Sequence, residues 1–293
     1  MTKDAVYQIV TDRIIDLLNK GIVPWQKPWQ GGQNMPRNLI SKKEYRGINL
    51  FLLHASNHGS PFWLTYKQAK ELGGNVKRGE HSMPVVFWKR FDVEDKAQPD
   101  GKRTIPMLRY YSVFNVDETE GISADKIPVM DKTTREHSPI AEAELIVKAM
   151  PKLPEIKHGQ GQAAYSPVMD YVTMPNPEQF TSWQAYYNVL FHELTHATGH
   201  PSRLDRFDKA QASEQFSFGS HTYAKEELVA EMGAAFLSGH AGIVDRTLDN
   251  SAAYIASWLK RLKDDCKLVV QAAAQAQKSS DFILNKPAPT YTA

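Results

Sequence analysis

The sequence predicts an α+β protein of two domains, and three observations carry that prediction. Basic residues concentrate early in the chain: residues 1–110 hold 18 Lys and Arg against 10 Asp and Glu, whereas the remaining 183 residues hold 17 against 23. A recognisable strand pair lies in this basic part, and most helical patterns lie after residue 140. The chain between them is polar and weakly patterned. We therefore expect an N-terminal domain at 1–120, a linker at 121–139, and a C-terminal domain at 140–293.

The N-terminal domain is predicted to combine helices with a small antiparallel sheet. Apolar residues recur at helical spacing in the helices, and Gly21 and Gly73 are placed to end the first and the third. Branched and aromatic residues dominate the two strands, whose connection over 92–104 contains the turn dipeptide Asp100-Gly101. The helices are expected over 4–20, 48–56 and 66–72, and the strands over 84–90 and 108–115.

The C-terminal domain is predicted to be mainly helical with a short sheet. Prolines bound a strand-like segment at 168–174, which we expect to be an edge strand along which an extended peptide aligns. The last helical pattern, at 251–278, suits packing on the domain or on a second chain. The helices are expected over 140–149, 183–198, 223–237 and 251–278.

The run Phe191-His192-Glu193-Leu194-Thr195-His196 indicates a metal site. Two histidines four apart project from one face of a helix, so both imidazoles can bind one zinc ion. The carboxylate of Glu193 then lies against the open position of the metal, where it can take the proton of a water whose pKa the metal lowers. The alternative is a surface helix on which these residues coincide. That alternative explains neither the spacing nor Gly199, which follows closely enough to end the helix.

Catalytic zinc usually takes a third protein ligand. In one familiar pattern a third histidine follows the helix-ending glycine by three residues, but Ser202 occupies that place and His200 lies directly beside the glycine. The helix at 223–237 offers a carboxylate instead, and we expect Glu227 to be the third ligand. Glu231, one turn further, is expected to accept the free ring N–H of a ligand histidine. Glu226 points about 100° away from Glu227.

Three further residues are candidates to stabilise a developing oxyanion. His200 and His221 lie near the motif in sequence, and Tyr223 lies about one helical turn before the expected third ligand. The simpler interpretation of both histidines is that they are solvated.

Basic residues interleave with aromatic residues in the first half, a combination that suits single-stranded nucleic acid. Some of these aromatic side chains have a second interpretation, since Trp88 lies in an apolar strand and the Pro-bounded tryptophans can lock their segment onto the domain. The cations can equally form a solvated basic face. The candidate contacts are Trp25, Trp29, Arg37, Tyr45, Arg46, Lys77, Arg78, Trp88, Lys89 and Arg90.

Composition excludes several classes of protein. The single cysteine, Cys266, rules out an intramolecular disulfide and a cysteine-based zinc site. No stretch approaches the roughly 20 apolar residues of a membrane span, and no apolar signal region follows Met1. We therefore expect a cytoplasmic protein without membrane partners.

The sequence resembles the ArdC-type antirestriction proteins over nearly its whole length. The first half resembles their N-terminal domain in the motifs at 25–29, 37–38, 45–49, 77–80 and 85–89. The second half resembles their zincin-like metallopeptidase domain in the motifs at 191–196 and 226–231.

The resemblance implies a protein of a conjugative plasmid or phage that binds single-stranded DNA and helps incoming DNA escape host restriction. It also implies that His192, His196 and Glu227 bind the metal and that Glu193 is the general base. The expected metal is Zn²⁺, and a His/His/Glu site also suits Mn²⁺ or another divalent ion.

Three functions remain open from the sequence. The first is DNA protection by a single-strand-binding domain joined to a zinc-dependent peptidase. The second is a metalloprotease whose basic half is a docking domain for an acidic protein partner. The third is a DNA-binding module in which the metal only stabilises the C-terminal domain.

Overall fold

The computed structural model describes residues 4–26, 35–56, 58–94, 102–129, 138–159, 161–207, 221–243 and 252–287, which form an α+β fold, as predicted. The elements up to residue 120 are α1 (Ala5–Asn19), β1 (Arg37–Asn38), α2 (Ile48–Ala55), β2 (Phe62–Leu64), α3 (Tyr66–Glu71), β3 (Asn75–Val76), β4 (Met83–Glu94), β5 (Lys102–Asn115) and β6 (Thr119–Glu120). The three predicted helices are confirmed. Thr65 caps α3, since its hydroxyl accepts from the Gln68 N–H while the Gln68 side chain accepts from the Thr65 N–H.

The main N-terminal sheet has the strand order β1-β2-β5-β4. It is mixed rather than purely antiparallel, because β1 runs parallel to β2. Strands β4 and β5 pair continuously from Met83↔Val113 to Glu94↔Lys102, so both ends of the predicted loop at 92–104 are strand, and residues 95–101 lie outside the described part. The pairing of β2 with β5 is confined to Trp63↔Asn115 and Leu64↔Phe114. Within the described residues, β4 and β5 therefore continue past β2 as a two-stranded ribbon.

The C-terminal half is mainly helical and contains a three-stranded sheet. Its elements are α4 (Pro139–Ala149), β7 (Glu155–His158), β8 (Ala164–Ser166), β9 (Tyr171–Met174), α5 (Trp183–Ala197), α6 (His221–Ala241), α7 (Ala252–Asp264) and α8 (Leu268–Ile283). The strand order is β7-β9-β8, so β9 is the central strand and our expectation of an edge strand at 168–174 is wrong. The side chains Val172 and Met174 of β9 are fully buried, which accounts for its central place.

The helix predicted over 251–278 is two helices, α7 and α8. Asp265 interrupts it by accepting a hydrogen bond from the Lys267 N–H (2.9 Å). The carbonyl of Cys266 accepts a hydrogen bond from the Thr11 hydroxyl of α1 (2.7 Å). Because a carbonyl engaged this way serves a tertiary contact, the break fixes the corner between α7 and α8 against the N-terminal helix.

The two halves share a hydrophobic core. One buried cluster joins residues of α1, α2, β4 and β5 to residues of α6, α7 and α8, and in it Phe51 stacks on Phe236 with ring centroids 4.7 Å apart. A second cluster joins α4, β9, α5, α6 and α8. Helices α6 and α8 thus contribute to both clusters, so the N-terminal half is buried against the same helix that carries Glu227.

Close contact between α5 and α6 positions the metal motif. A Cβ atom at Gly233 of α6 would lie 2.4 Å from the Thr195 side chain of α5, so only glycine permits this approach. After α5 the chain folds back, and a Cβ at Gly199 would lie 2.4 Å from the ring of Phe207. Small residues at these two points therefore bring α6 and residues 200–207 alongside the motif. Among the described helices, none has both the length and the apolar character needed for a membrane span.

Candidate metal centre

Three predicted ligands converge between α5 and α6. The Nε2 atoms of His192 and His196 are 3.1 Å apart. The Glu227 carboxylate lies beside both, with Oε2 3.5 Å from the His192 Nε2 and Oε1 3.6 Å from the His196 Nε2. Within the described residues, these three form the only group of His, Cys, Asp or Glu side chains whose ligand atoms cluster closely enough to hold a metal ion.

The spacing of these atoms fits one shared metal ion. Ligands about 2.0–2.1 Å from a tetrahedral zinc ion lie roughly 3.3 Å from one another, and the three separations here range from 3.1 to 3.6 Å. Two imidazoles and a carboxylate also form a donor set that divalent transition metals accept. The side chains are partly exposed, at 24% for His192, 13% for His196 and 27% for Glu227, so a substrate can approach from solvent.

Glu226 orients His196. Its Oε1 lies 3.1 Å from Nδ1 of His196, which fixes the tautomer that donates from Nδ1 and leaves the Nε2 lone pair for the metal. Arg206 holds the Glu226 carboxylate in turn, with Nη2 2.7 Å from Oε1 and Nε 3.1 Å from Oε2. Burial raises the pKa of Glu226, but the Arg206 guanidinium and His196 outweigh burial and keep that pKa below its ordinary value. The carboxylate thus stays ionised where it is needed as an acceptor.

Arg206 is itself fixed by the surrounding helices. Its Nη2 donates to the Thr195 carbonyl (2.7 Å), and its Nη1 donates to the Thr198 hydroxyl (2.6 Å) and to the Ser279 hydroxyl of α8 (3.2 Å). The orientation of His196 is therefore determined by a network that spans α5, α6 and α8.

Glu231 has a different role from the one expected. Its carboxylate accepts hydrogen bonds from the Trp25 indole N–H (2.9 Å) and from the Tyr254 hydroxyl of α7. The contact with a ligand histidine that we expected of Glu231 is made by Glu226. The physical reason is packing: Trp25 and Tyr254 occupy the space around Glu231, and burial raises the pKa of this carboxyl.

Glu193 and Tyr223 lie next to the three ligands. Glu193 follows His192 on α5 and is 8% exposed. The Tyr223 hydroxyl donates a hydrogen bond to Glu227, and burial, together with this carboxylate, raises the pKa of Tyr223. Burial raises the pKa of Glu227 as well, but its contacts with His192 and His196 prevail and lower that pKa to about 2. A carboxylate and a neutral phenol therefore flank the ligand group.

The other histidines near the motif do not join it. His200 Nδ1 lies 2.8 Å from the Ser202 hydroxyl and 3.8 Å from Asp170, which keeps its ring in the loop after α5. The side chain of His221 lies outside the described residues.

The structure removes two aromatic residues from the candidate DNA contacts. Trp25 is 2% exposed, lies edge-on to Trp258 at 6.0 Å, and donates its N–H to Glu231. Trp25 therefore fixes its segment onto the protein, which was the second interpretation of this tryptophan, and does not serve as a DNA contact. Tyr45 is 7% exposed and belongs to the shared core. Neither ring is available for stacking on a base, because both are covered by apolar neighbours.

The remaining candidates differ in accessibility. Arg46 is half exposed and forms an ion pair with Asp281 of α8, whereas Arg37 pairs with Glu44. The Lys77 ammonium donates to the Asp117 carbonyl (2.7 Å). Three candidates are exposed in or near β4, and two lie outside the described part. The exposed residues are Arg78, Trp88 and Lys89, and those outside are Trp29 and the side chain of Arg90.

Sequence reasoning missed Arg206 and Tyr254 and gave Glu226 no role. A signal for Glu226 existed, since a carboxylate in an Ala-rich helix that must be buried needs a charged partner. No local pattern identified Arg206, because it lies ten residues beyond His196 in a loop whose fold depends on Gly199 and Phe207.

Two family models match consecutive parts of the chain. Residues 4–114 match the model for the N-terminal domain of the anti-restriction factor ArdC, and residues 141–275 match the model for a zincin-like metallopeptidase. A DNA primase TraC of Escherichia coli is 36% identical over 302 residues, which cover 96% of this chain and 27% of the primase. The chain thus spans about a quarter of that relative. An uncharacterised protein of Sinorhizobium fredii is 34% identical over 295 residues, which cover 96% of this chain and 92% of that protein.

Two solved structures are similar over almost the whole chain. Both are of the antirestriction ArdC protein from the R388 plasmid. The metal-free form is 37% identical with a TM-score of 0.72 and covers 97% of this chain and 100% of that one. The Mn(II)-bound form is 38% identical with a TM-score of 0.74 and covers 95% and 97%. With similarity of this extent in both halves, the chain belongs to the ArdC family of antirestriction proteins and carries their zincin-like metallopeptidase domain.

Proposed function

We propose that this protein protects the incoming DNA of a mobile element from host restriction, binding single-stranded DNA through its N-terminal half and a divalent metal through His192, His196 and Glu227. Its place of action is the cytoplasm, where restriction enzymes meet such DNA. The observation that carries the metal part of this proposal is the convergence of donor atoms from three side chains, separated by 3.1 to 3.6 Å.

The metal is Zn²⁺ or Mn²⁺. Two imidazoles and one carboxylate accommodate either ion, and selection between them then depends on availability and geometry. A Mn(II)-bound relative supports the second ion.

The residues around the ligands suit peptide hydrolysis. A divalent metal held there would polarise a carbonyl group as a Lewis acid. The Glu193 carboxylate, beside His192, would accept the proton of an attacking water. The Tyr223 hydroxyl, which donates to Glu227 here, would turn from that carboxylate to donate its hydrogen to the oxygen on which negative charge develops.

A second function has an observation in its favour. Helices α5 and α6, which carry all three ligands, also form much of the buried core. In a DNA-binding module with a purely structural metal, binding would therefore stabilise the fold without any peptide chemistry.

The test compares the full-length protein with Glu193→Gln and His192→Ala. Metal binding is measured by calorimetry with Zn²⁺ and with Mn²⁺, and DNA binding by fluorescence anisotropy with single-stranded and duplex oligonucleotides across a salt series. We expect Glu193→Gln to bind metal and DNA normally and His192→Ala to lose metal binding. Peptidase activity on a casein or peptide-library substrate that Glu193→Gln abolishes supports the enzyme, whereas protection of DNA that survives Glu193→Gln supports the structural metal.

The anisotropy measurements test the DNA-binding part of the proposal separately. Strand-selective binding that weakens with salt supports the proposal. Equal and weak binding to both DNA forms would contradict it and would favour a basic domain that docks a protein substrate.

A further inference from the structure

We propose that one face of the β4–β5 ribbon is the surface on which single-stranded DNA lies, with bases stacked on Phe87 and Tyr111 and phosphates bound by Lys89 and Arg109. The inference rests on the proposed DNA-binding function and assigns it to a surface. That surface is needed because two of the aromatic contacts expected from the sequence, Trp25 and Tyr45, are buried.

The register of the ribbon defines this face. Paired residues of antiparallel strands point to the same side, and successive residues alternate between sides. Phe87 pairs with Arg109. On the same side, Lys89 pairs with Met107 and Tyr111 pairs with Val85. The same side continues to Phe91 and, at the far end of β5, to Arg103. We call this side the ribbon face.

Charge on the ribbon face is of one sign. It carries three cations, Lys89, Arg103 and Arg109, and its described positions between 87 and 111 include no Asp or Glu. Glu94 falls on the opposite side by alternation. Cations without acids attract any anionic partner, whether the phosphates of a nucleic acid or the carboxylates of an acidic protein. The aromatic residues of the same face distinguish between these two partners.

Aromatic rings alternate with the cations on this face. Phe87 is 41% exposed and Tyr111 is 37% exposed, and their centroids are 5.5 Å apart at an interplanar angle of 57°. The Lys89 ammonium lies 5.2 Å from the centroid of Phe91, and the Arg109 guanidinium lies 5.3 Å from the same centroid. Exposed rings beside cations are the features with which proteins bind unstacked bases and the phosphates between them, so the face favours nucleic acid.

The spacing of the face favours single strands. The centroids of Phe87 and Tyr111 are 5.5 Å apart and their planes are inclined by 57°, whereas the bases of a duplex stack in parallel at about 3.4 Å along each strand. Rings in this arrangement therefore match bases that have been separated from their neighbours.

The opposite side of the ribbon supplies a matched control. Trp88, the neighbour of Phe87, is 43% exposed but points to the opposite side by alternation. Both sides become buried in the shared core towards the base of the ribbon, through Val86 and Leu108 on the Trp88 side and through Val85 and Val113 on the ribbon face. Lys67 of α3, whose side chain is 87% exposed, provides a cationic control away from the ribbon.

The experiment measures anisotropy of a labelled single-stranded oligonucleotide with the full-length protein and its variants, with circular dichroism to verify folding. We expect Phe87→Ala and Tyr111→Ala each to weaken binding about ten-fold, which is the effect typical of removing one stacking platform. The Lys89→Ala/Arg109→Ala double variant should also reduce the slope of log K against log salt by about 0.7 for each phosphate that is no longer neutralised. Trp88→Ala and Lys67→Ala should stay within two-fold of the unmodified protein.

Two results would overturn the assignment while leaving the proposed function intact. One is normal binding by Phe87→Ala and Tyr111→Ala. The other is a loss in Trp88→Ala as large as the loss in Phe87→Ala. Equal competition by duplex DNA would overturn the single-strand part of the inference. If the unmodified protein binds no DNA at any salt concentration, the proposed DNA-binding function fails with it.

Discussion

The metal centre and the ribbon face hold their side chains in different ways. At the metal centre the orienting carboxylate, Glu226, is 4% exposed and is fixed by His196 and Arg206, which are themselves fixed by three helices. On the ribbon face Phe87 contacts Tyr111, and Lys89 and Arg109 lie over the ring of Phe91. Phe87, Lys89, Arg109 and Tyr111 are all exposed to solvent. The centre is thus preorganised by the fold, whereas the ribbon can adapt to a ligand. Substitutions should therefore affect stability at the centre and only binding at the ribbon.

Two arginines give the largest expected contrast. Arg206→Ala leaves the Glu226 carboxylate buried without its cation, which should lower the free energy of unfolding by about 3–5 kcal/mol. Arg109→Ala removes an exposed side chain and should change the same quantity by no more than about 0.5 kcal/mol. Urea unfolding of both variants checks this. Similar losses in the two variants would mean that the ribbon is as rigidly integrated as the centre.

Two tryptophans test the same contrast in the N-terminal half. Trp25→Ala removes a buried ring and the N–H that Glu231 accepts, so we expect a loss of about 3–5 kcal/mol in the free energy of unfolding. Trp88→Ala should cost below about 1 kcal/mol, since its ring is 43% exposed. Chemical denaturation followed by far-UV circular dichroism measures both. The shared core also predicts one cooperative transition, and two separate transitions would show that the halves unfold independently.

Two glutamates on α6 test the orienting contact itself. Glu226→Gln weakens the acceptor of the His196 ring N–H and should lower metal affinity about 10–100-fold, or about 1.4–2.7 kcal/mol. Glu231→Gln, further along the same helix, should change the metal affinity less than about three-fold. The reason is that Glu231 accepts hydrogen bonds from Trp25 and Tyr254 and not from a ligand histidine. Calorimetry with Mn²⁺ provides the measurement. A larger effect at Glu231 would restore the role first expected for it.

The features that the sequence made predictable are local ones. His192 and His196 share a helical face by their spacing alone, and Glu227 followed from the need for a third ligand on a second helix. Apart from the break that divides 251–278 into two helices, the helix bounds were predictable to within a few residues, because local periodicity and capping residues such as Thr65 determine them. These inferences need no information on how distant segments meet.

The rest depended on contacts between distant segments. Trp25 and Tyr45 are of the residue types that contact DNA, but both are buried in the core that the two halves share. The ribbon face required the register of β4 on β5, since a shift by one residue would place Phe87 on the other side. The assignment of β9 to an edge failed for the same reason, because strand order is not encoded in the alternation of one strand.

His240 tests the contact between the N-terminal and C-terminal halves of the protein, and its substitution gives the smallest expected effect. It lies near the end of α6, where Lys286 Nζ is 3.3 Å from its Nε2 and Arg46 of the N-terminal half is paired with Asp281 nearby. Burial, with the charges of Lys286 and Arg46, lowers the pKa of His240 to about 4. An unfolded histidine with a pKa of about 6.5 takes up its proton first, so the stabilisation is complete above that pH and is lost as pH falls towards 4.

Between about pH 6.5 and pH 5 we therefore expect a decrease of about 1–2 kcal/mol in the free energy of unfolding that His240→Gln lacks. Urea unfolding of both proteins across this pH range provides the measurement. Parallel pH profiles for the two proteins would contradict the prediction. They would mean that solvent reaches His240 and that the ends of α6 and α8 do not close over it, so the contact between the two halves would be looser than the metal centre on the same helix.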